Sequence, residues 1–293
     1  MYNDFKKSGI IHKLISSKIK EELYNGISAL EIVESIEDKI NQFTKFDENN
    51  PLKSGIAFPV GISINDIAAH FTPSLNNNPI ISDSDVVKID YGVHINGCIS
   101  DGAFSWCPNN KYNELIKISK EATEVGIKNS GPDAILGLIG AEIEEVINSY
   151  EIEIDNKVLP VRSIIDLCGH KIEPYKIHAG KVVPNVEIPY FERMKENEVY
   201  AIETFPTTGN GKTFEDLECN HFMIDESYKY DENIDYIYKT RSTLPFCPRW
   251  FSEDIPNNKY IKKYPVIKTS DNGIVAQYEK NVYIKNNGYE VLN

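Results

Sequence analysis

Residues 86–104 read VVKIDYGVHINGCISDGAF, two apolar runs separated by a short polar break. Asp85 to Tyr91 and Gly97 to Trp106 read as β-strands, and the turn around His94–Gly97 joins them into a hairpin. Each strand carries an aspartate, Asp90 and Asp101, set among apolar neighbours. On one continuous strand their odd separation would put them on opposite faces, so it is the intervening turn that lets them face each other. A carboxylate in such surroundings is costly unless a cation or a basic side chain meets it, and no arginine is near in sequence. Read by themselves, the two aspartates fit either a turn role or a metal role.

Working outward, the same anomaly recurs. Glu203 in EVYAIETFPTTG and Glu279 in GIVAQYEKNVYI both lie in the middle of an apolar strand, where glutamate is unfavourable and rarely buried without a partner. His170 and His178 lie in GHKIEPYKIHAGK. A lone histidine there reads as a structural residue, but two that flank Pro174 and Tyr175, with Gly169 and Gly180 outside them, read as a site. Asp90, Asp101, His170, Glu203 and Glu279 together offer four carboxylates and one imidazole. That set suits two divalent cations of the Mn, Fe, Co or Zn kind rather than a thiolate zinc site. The alternative is several unpaired buried charges, so the residues point to a dinuclear metallohydrolase. His70 in IAAHFTP and His221 in CNHFM read as proton donors, as pocket wall or as packed core histidines.

The remaining chain supplies the frame. Apolar residues recur at helical spacing from residue 5 to 47, interrupted at Gly26, which predicts two helices. Lys111 to Ile127 reads as a third. Pro132 marks the start of a fourth, whose apolar stripe is Ile135, Leu138, Ile139, Ile143, Val146 and Ile147. Strands follow at Val158–Leu167, Glu198–Phe205, Cys219–Ile224 and Gly273–Ile284, while Asp225 to Lys263 reads as a surface excursion. Helices, then antiparallel strands, then the same theme again indicates an α+β fold.

With 31 basic against 44 acidic residues the net charge is −13, which argues against nucleic acid or an anionic membrane as partner. Five scattered cysteines without a Cys-x-x-Cys pair indicate a reducing compartment. The longest apolar run, Ala134 to Ala141, is eight residues, too short to span a bilayer. No secretory signal is visible in the lysine-rich N-terminus. The expectation is a soluble, cytoplasmic protein.

Six segments in order resemble the type 2 methionine aminopeptidases, pita-bread metallopeptidases: GIAFPVGISINDIAAHFTP, VVKIDYGVHINGCISDGAF, GHKIEPYKIHAGKVVPN, ENEVYAIETFPTTGNG, DLECNHFM and AQYEKNVYI. The resemblance runs from about residue 8 to residue 292. It implies a curved antiparallel sheet flanked by helices, with residues 1–293 as a single catalytic domain and a shortened type 2 insertion at about 225–263. It implies that Asp90 holds one ion, that Asp101 and Glu279 bridge two, and that His170 and Glu203 complete the second. Glu203 would serve as general base or proton shuttle, His70 would donate to or stabilise the tetrahedral intermediate, and His178 would contact the substrate carbonyl or its amide. Phe58, Gly61, Ile177, His221 and Tyr264, with His70 and His178, would form the pocket for the methionine side chain. The implied activity is removal of the N-terminal methionine of nascent polypeptides when the second residue is small. The implied enzyme is a monomer that meets the ribosome transiently, with no membrane or nucleic-acid partner.

The sequence departs from the family at Glu173, where glycine is common, and at Lys280, where histidine usually follows the last ligand. Lys280 is expected on the opposite strand face from Glu279. The family's lysine- and acid-rich N-terminal extension has no counterpart here. Two other readings compete: a proline-specific peptidase of the same fold, and a non-enzymatic ribosome- or nucleic-acid-binding homologue.

Overall fold

Helix pairs and antiparallel sheets alternate along the chain in a computed structural model that describes residues 1–216, 218–251 and 255–293. Helix α1 (Tyr2–Glu22) turns Ile11, Ile15 and Ile19 inward, and α2 (Ala29–Thr44) does the same with Ile32, Val33, Ile36 and Ile40. The restart after Gly26 is set by a capping box: the Ser28 hydroxyl accepts from Glu31 N–H, and the Glu31 carboxylate accepts from Ser28 N–H. Both helices lie on a four-stranded sheet built from Ser54–Ile56, Val87–Ile95, Gly61–Ile64 and Cys98–Trp106.

The second pair, α3 (Asn113–Lys128) and α4 (Leu136–Asn148), covers a five-stranded sheet ordered Val182–Pro184, Cys168–Ile172, Val199–Thr204, Tyr278–Lys285 and Gly288–Val291. Helix α4 starts at Leu136, not at Pro132. Asp133 takes a left-handed φ of 64°, which no helix accommodates. Leu138, expected on the apolar stripe, is 62% exposed, while Leu136, Ile139, Ile143 and Ile147 face the core. The expected strand over Val158–Leu167 is instead two short pieces. Lys157–Pro160 folds back on Glu151–Ile154 through Asp155 and Asn156, both left-handed, and Arg162–Ser163 pairs with Pro206–Thr207. The strand expected from Gly273 begins at Tyr278. The N–H groups of Val275, Ala276 and Gln277 go to Asn65 O, Pro206 O and Ser105 Oγ rather than to the sheet ladder.

Side-chain bonds stitch the two sheets where Cys98–Trp106 runs beside Tyr278–Lys285. Asp101 N–H donates to Asn281 Oδ1 at 2.7 Å, and the Ser105 hydroxyl donates to Gln277 O at 2.9 Å. The seam therefore lies directly behind the residues singled out above.

The stretch read as a surface excursion has its own apolar centre. His221–Ile224 pairs with Ile261–Tyr264, and the short α5 (Asp235–Arg241) sets Ile234 and Ile237 against Ile224 and Phe246. Residues 252–254 of the expected insertion lie outside the described residues. The unit is tied to the rest by Arg249, which donates to both oxygens of Glu37 at 2.9 and 2.6 Å, with Trp250 Nε1 on the same carboxylate. Among the described residues no helix is long and apolar enough to cross a membrane.

Candidate metal centre

Strand register explains how five distant residues converge. Ile95 pairs with Cys98 around a two-residue Asn96–Gly97 turn whose φ values are 49° and 77°, the positive angles that a tight hairpin of this twist requires. That register sets Asp90 opposite Ala103 and Asp101 opposite Gly92. The aspartates are thus diagonal neighbours on one face rather than directly opposed. In the second sheet Glu203 lies directly across from Glu279, and His170 across from Ala201, two positions from Glu203 on the same face. The seam between the sheets brings both sets together.

His170 Nε2 lies 3.5 Å from Asp101 Oδ2 and 3.5 Å from Glu203 Oε1. Asp101, His170 and Glu279 present ligand atoms that all lie within 4.8 Å of one another. Gln277 donates to Asp90 Oδ2 at 3.2 Å and reaches Glu203 Oε2 at 3.5 Å, so it bridges the other two carboxylates. Asp101, His170 and Glu279 are buried, and Asp90 and Glu203 are partly open to the cavity in front of them.

The electrostatics are those of a cation site. Burial pushes the Asp90 carboxyl up from 3.8 to about 6. Burial first, and then the neighbouring carboxylates, hold Asp101, Glu203 and Glu279 well above their ordinary values. Burial takes His170 down to about 4, so its imidazole is neutral and its lone pair is available to a ligand. Among the described residues no lysine or arginine pairs with any of the four carboxylates. Asp90 Oδ1 and Glu279 Oε1 are buried without a hydrogen-bond partner. Unpaired buried carboxylate oxygens carry a large desolvation cost that divalent cations remove. Four hard oxygen donors and one nitrogen fit such ions.

In front of the cluster lies a cavity of about 470 Å³. All twelve residues named from the sequence line it: the five candidate ligands together with Phe58, Gly61, His70, Ile177, His178, His221 and Tyr264. Tyr264 is there because it is the cross-strand partner of His221. The His70 ring stands 5.8 Å from that of His221 and 5.7 Å from that of Tyr264, and His178 meets His170 edge-on at 4.5 Å. His70 holds a left-handed φ of 66°, a strained conformation that surrounding structure must impose. Its Nδ1 lies 3.1 Å from the Pro265 carbonyl, which can only accept. Nδ1 therefore carries the proton, and burial keeps the ring neutral. Nε2 is left with a lone pair.

His178 opens onto the cavity, yet protein crowds its remaining sides. That crowding, first of all, holds it well below the usual imidazole range, and neighbouring His170 and His70 would oppose its protonation further. Gly92 permits the wall: a Cβ there would strike the Phe58 ring. Lys280 takes no part in the lining, while its neighbour Glu279 does. Glu173 is paired with Lys171 at 2.6 Å.

The sequence reading missed Gln277 and Asn281, which share the strand face of Glu279 by simple alternation and orient Asp90 and Asp101. It also missed Cys168, Phe205 and Pro245 on the cavity wall. Only the alternation signal was available for the first two, and no local signal marked the others.

Comparison with known proteins agrees with this geometry. The sequence model of metallopeptidase family M24 matches residues 3–285. The chain belongs to metallopeptidase family M24. It is 40% identical over 309 residues to methionine aminopeptidase 2 of Dictyostelium discoideum, covering 100% of this chain and 70% of that protein. In fold, this M24 chain is similar to a methionine aminopeptidase from Thermotoga maritima, with TM-score 0.69 and 17% identity over 98% of this chain and 94% of the other. It is also similar to a thermophilic Arx1, with TM-score 0.83 and 15% identity over 99% and 90% of the two chains. The shared architecture is the pita-bread fold.

Proposed function

We propose that this chain is a metal-dependent methionine aminopeptidase that removes the N-terminal methionine of nascent polypeptides whose second residue is small. The observation that carries the reading is the convergence of Asp90, Asp101, His170, Glu203 and Glu279 behind an apolar-walled cavity, in a chain 40% identical to a methionine aminopeptidase 2. The five residues would hold two divalent ions, of the Mn, Co, Fe or Zn kind. When bound, such ions polarise the scissile carbonyl and lower the pKa of water.

The chain's own side chains supply the rest. Phe58, Ile177 and Tyr264 form an apolar wall for the thioether side chain, with Gly61 leaving room beside Asp90. Neutral His70 offers Nε2 as a hydrogen-bond acceptor to the N–H of the scissile amide, and so orients it and stabilises the tetrahedral intermediate. His178, exposed at the cavity, contacts the substrate carbonyl or amide. Glu203, a carboxylate once bound cations offset the burial that otherwise favours its protonated form, would accept a proton from the attacking water and return it to the leaving amine. His221 backs His70.

A single catalytic domain over 1–293, with a shortened insertion at about 225–263, fits this reading. So do a monomer, a cytoplasmic setting and transient contact with the ribosome, where N-termini emerge. The five cysteines are all free, as a reducing compartment requires.

The test is hydrolysis of Met-Ala-Ser by the chain stripped of metal and then reloaded with Mn or Co, beside Asp101→Asn. Metal-dependent methionine release, abolished in the variant, is expected. Cleavage of Xaa-Pro peptides alone would transfer the chain to the proline-peptidase branch. Absence of both activity and metal uptake would favour the non-enzymatic reading.

A further inference from the structure

The opposite face of the same sheets carries a second feature that the peptidase reading does not use. Phe104, Tyr278 and Lys280 alternate with the cavity-facing residues and so point toward the helices. There, α1 and α3 leave a groove over the seam, a depression of about 330 Å³ lined by Lys20, Lys117, Lys120, Phe104, Ile116 and Tyr278. Lys280 is half-buried beside it, and Lys13 and Lys20 of α1 and Lys120 of α3 are close enough to act on it electrostatically. Three lysines therefore line one recess, with the charges of Lys13 and Lys280 nearby, in a protein whose net charge is −13.

Their pairing is unusual. Among the described residues, Lys13, Lys20, Lys117 and Lys280 make no ion pair within 4.0 Å, and Lys120 reaches only Glu124, at 3.9 Å. With acidic residues in surplus elsewhere on the chain, this concentration of uncompensated cations runs against the molecule's own balance. Long lysine stems laid on aromatic rings explain part of it, since Lys20 Nζ lies 4.5 Å from the Phe104 ring centroid and Lys280 Nζ 5.7 Å from that of Tyr278. They do not explain why so many cations share the recess. Burial and the Lys120 charge lower the Lys20 ammonium below its ordinary range, a sign that the groove disfavours its own charge. The Tyr278 hydroxyl makes no hydrogen bond among the described residues and is free to donate.

We propose that this groove is a binding site for a small multivalent phosphate anion, of the pyrophosphate class, held by Lys20, Lys117 and Lys120. Lysine ammoniums act as point-charge phosphate ligands, and a multivalent anion removes their mutual repulsion. The recess is pocket-sized, and the chain's net charge of −13 disfavours a long polyanion that would extend beyond it. Size and charge together favour the small ligand over a nucleic acid.

The experiment is calorimetric titration of the full chain with sodium pyrophosphate at low ionic strength. It is run with and without the active-site metal, on the parent and on Lys20→Gln/Lys120→Gln. The expected result is saturable binding to the parent in both metal states, weakened by added salt and at least tenfold weaker in the double variant. Met-Ala-Ser turnover by the double variant should be unchanged. The double variant should also melt close to the parent, because both positions are exposed and the repulsion removed offsets the lost Lys20–Phe104 and Lys120–Glu124 contacts. Lys117→Gln provides an independent variant with the same expected direction. Equal affinity in parent and variants, binding only when metal is loaded, or tighter saturable binding of a single-stranded RNA 20-mer than of pyrophosphate would each overturn the assignment. The outcome does not depend on peptidase activity, so it is read separately from the function proposed above.

Discussion

Replacing Asp90 by asparagine should stabilise the metal-free protein at neutral pH. Asp90 Oδ1 is buried without a partner, and burial raises the carboxyl from 3.8 to about 6. A raised carboxyl contributes its full stability below the unfolded-state value, near 4, and that stability is lost as pH climbs through the folded-state value. Between about pH 4 and pH 6 the metal-free protein therefore loses stability at this site, and above 6 the loss is complete. A gap of about two pH units at about 1.4 kcal/mol each amounts to about 3 kcal/mol. Asparagine carries no charge and its carbonyl still accepts from Gln277 Nε2, so the penalty disappears while the hydrogen bond remains. The assay is urea unfolding of the parent and Asp90→Asn in chelator across pH 4 to 8, where the difference reports this group together with the repulsion it exerts on Asp101, Glu203 and Glu279. The two should coincide near pH 4 and diverge by up to about 3 kcal/mol above pH 6, roughly 6 °C in melting temperature for a domain of this size. Saturating Mn should reverse the order, since ions that bind only the folded parent add stability by mass action. A metal-free variant no more stable than the parent at pH 7.5 would refute the claim that these carboxylates are held apart from compensating charge.

Three further outcomes follow from contacts outside the ligand set. Arg241, half-buried with Nη2 at 2.9, 3.0 and 2.8 Å from the carbonyls of Ile56, Ala57 and Pro245, braces two walls of the cavity. Arg241→Met should cost about 3 kcal/mol in urea unfolding and raise KM for Met-Ala-Ser more than it lowers kcat, because the residue touches no reacting atom. Gly92→Ala should push the Phe58 ring into the methionine pocket, costing about 1–3 kcal/mol and selectively weakening methionyl over alanyl peptides, as peptide competition will show. Glu37→Gln should remove the charged fork to Arg249 and the Trp250 contact partner, lowering unfolding stability by about 2 kcal/mol and increasing protease cleavage within 225–263.

Much of the architecture was legible because it is written in local patterns. The interruption at Gly26, the apolar spacing of Ile32, Val33, Ile36 and Ile40, and the Asn96–Gly97 turn each act within a few residues. Errors arose where a distant partner competed. Pro132 suggested a helix start that Asp133 delays, and Leu138 matched the stripe yet faces solvent. The Gly273–Gln277 segment looks like strand but spends its N–H groups on three separate segments. The excursion over 225–263 reads as polar surface because its tyrosines, aspartates and prolines dominate the composition. Ile234 and Ile237, one helical turn apart, were the quiet sign of its core.

From sequence alone came the identity of the five metal-binding candidates, since a carboxylate amid apolar strand residues is anomalous wherever it occurs. Which of them adjoin was a matter for tertiary structure. Strand alternation fixes the face a side chain takes, but only pairing register fixes its neighbour. Asp101 diagonal to Asp90 follows from one tight turn, whereas Glu203 opposite Glu279 depends on strands far apart in the chain finding one alignment. The supporting bonds of Gln277 and Asn281, the closure of the cavity by Tyr264 against His221, and the gathering of lysines from α1, α3 and the sheet depend on it too. Such contacts join residues whose local sequences carry no record of one another, so only the folded chain brings them together.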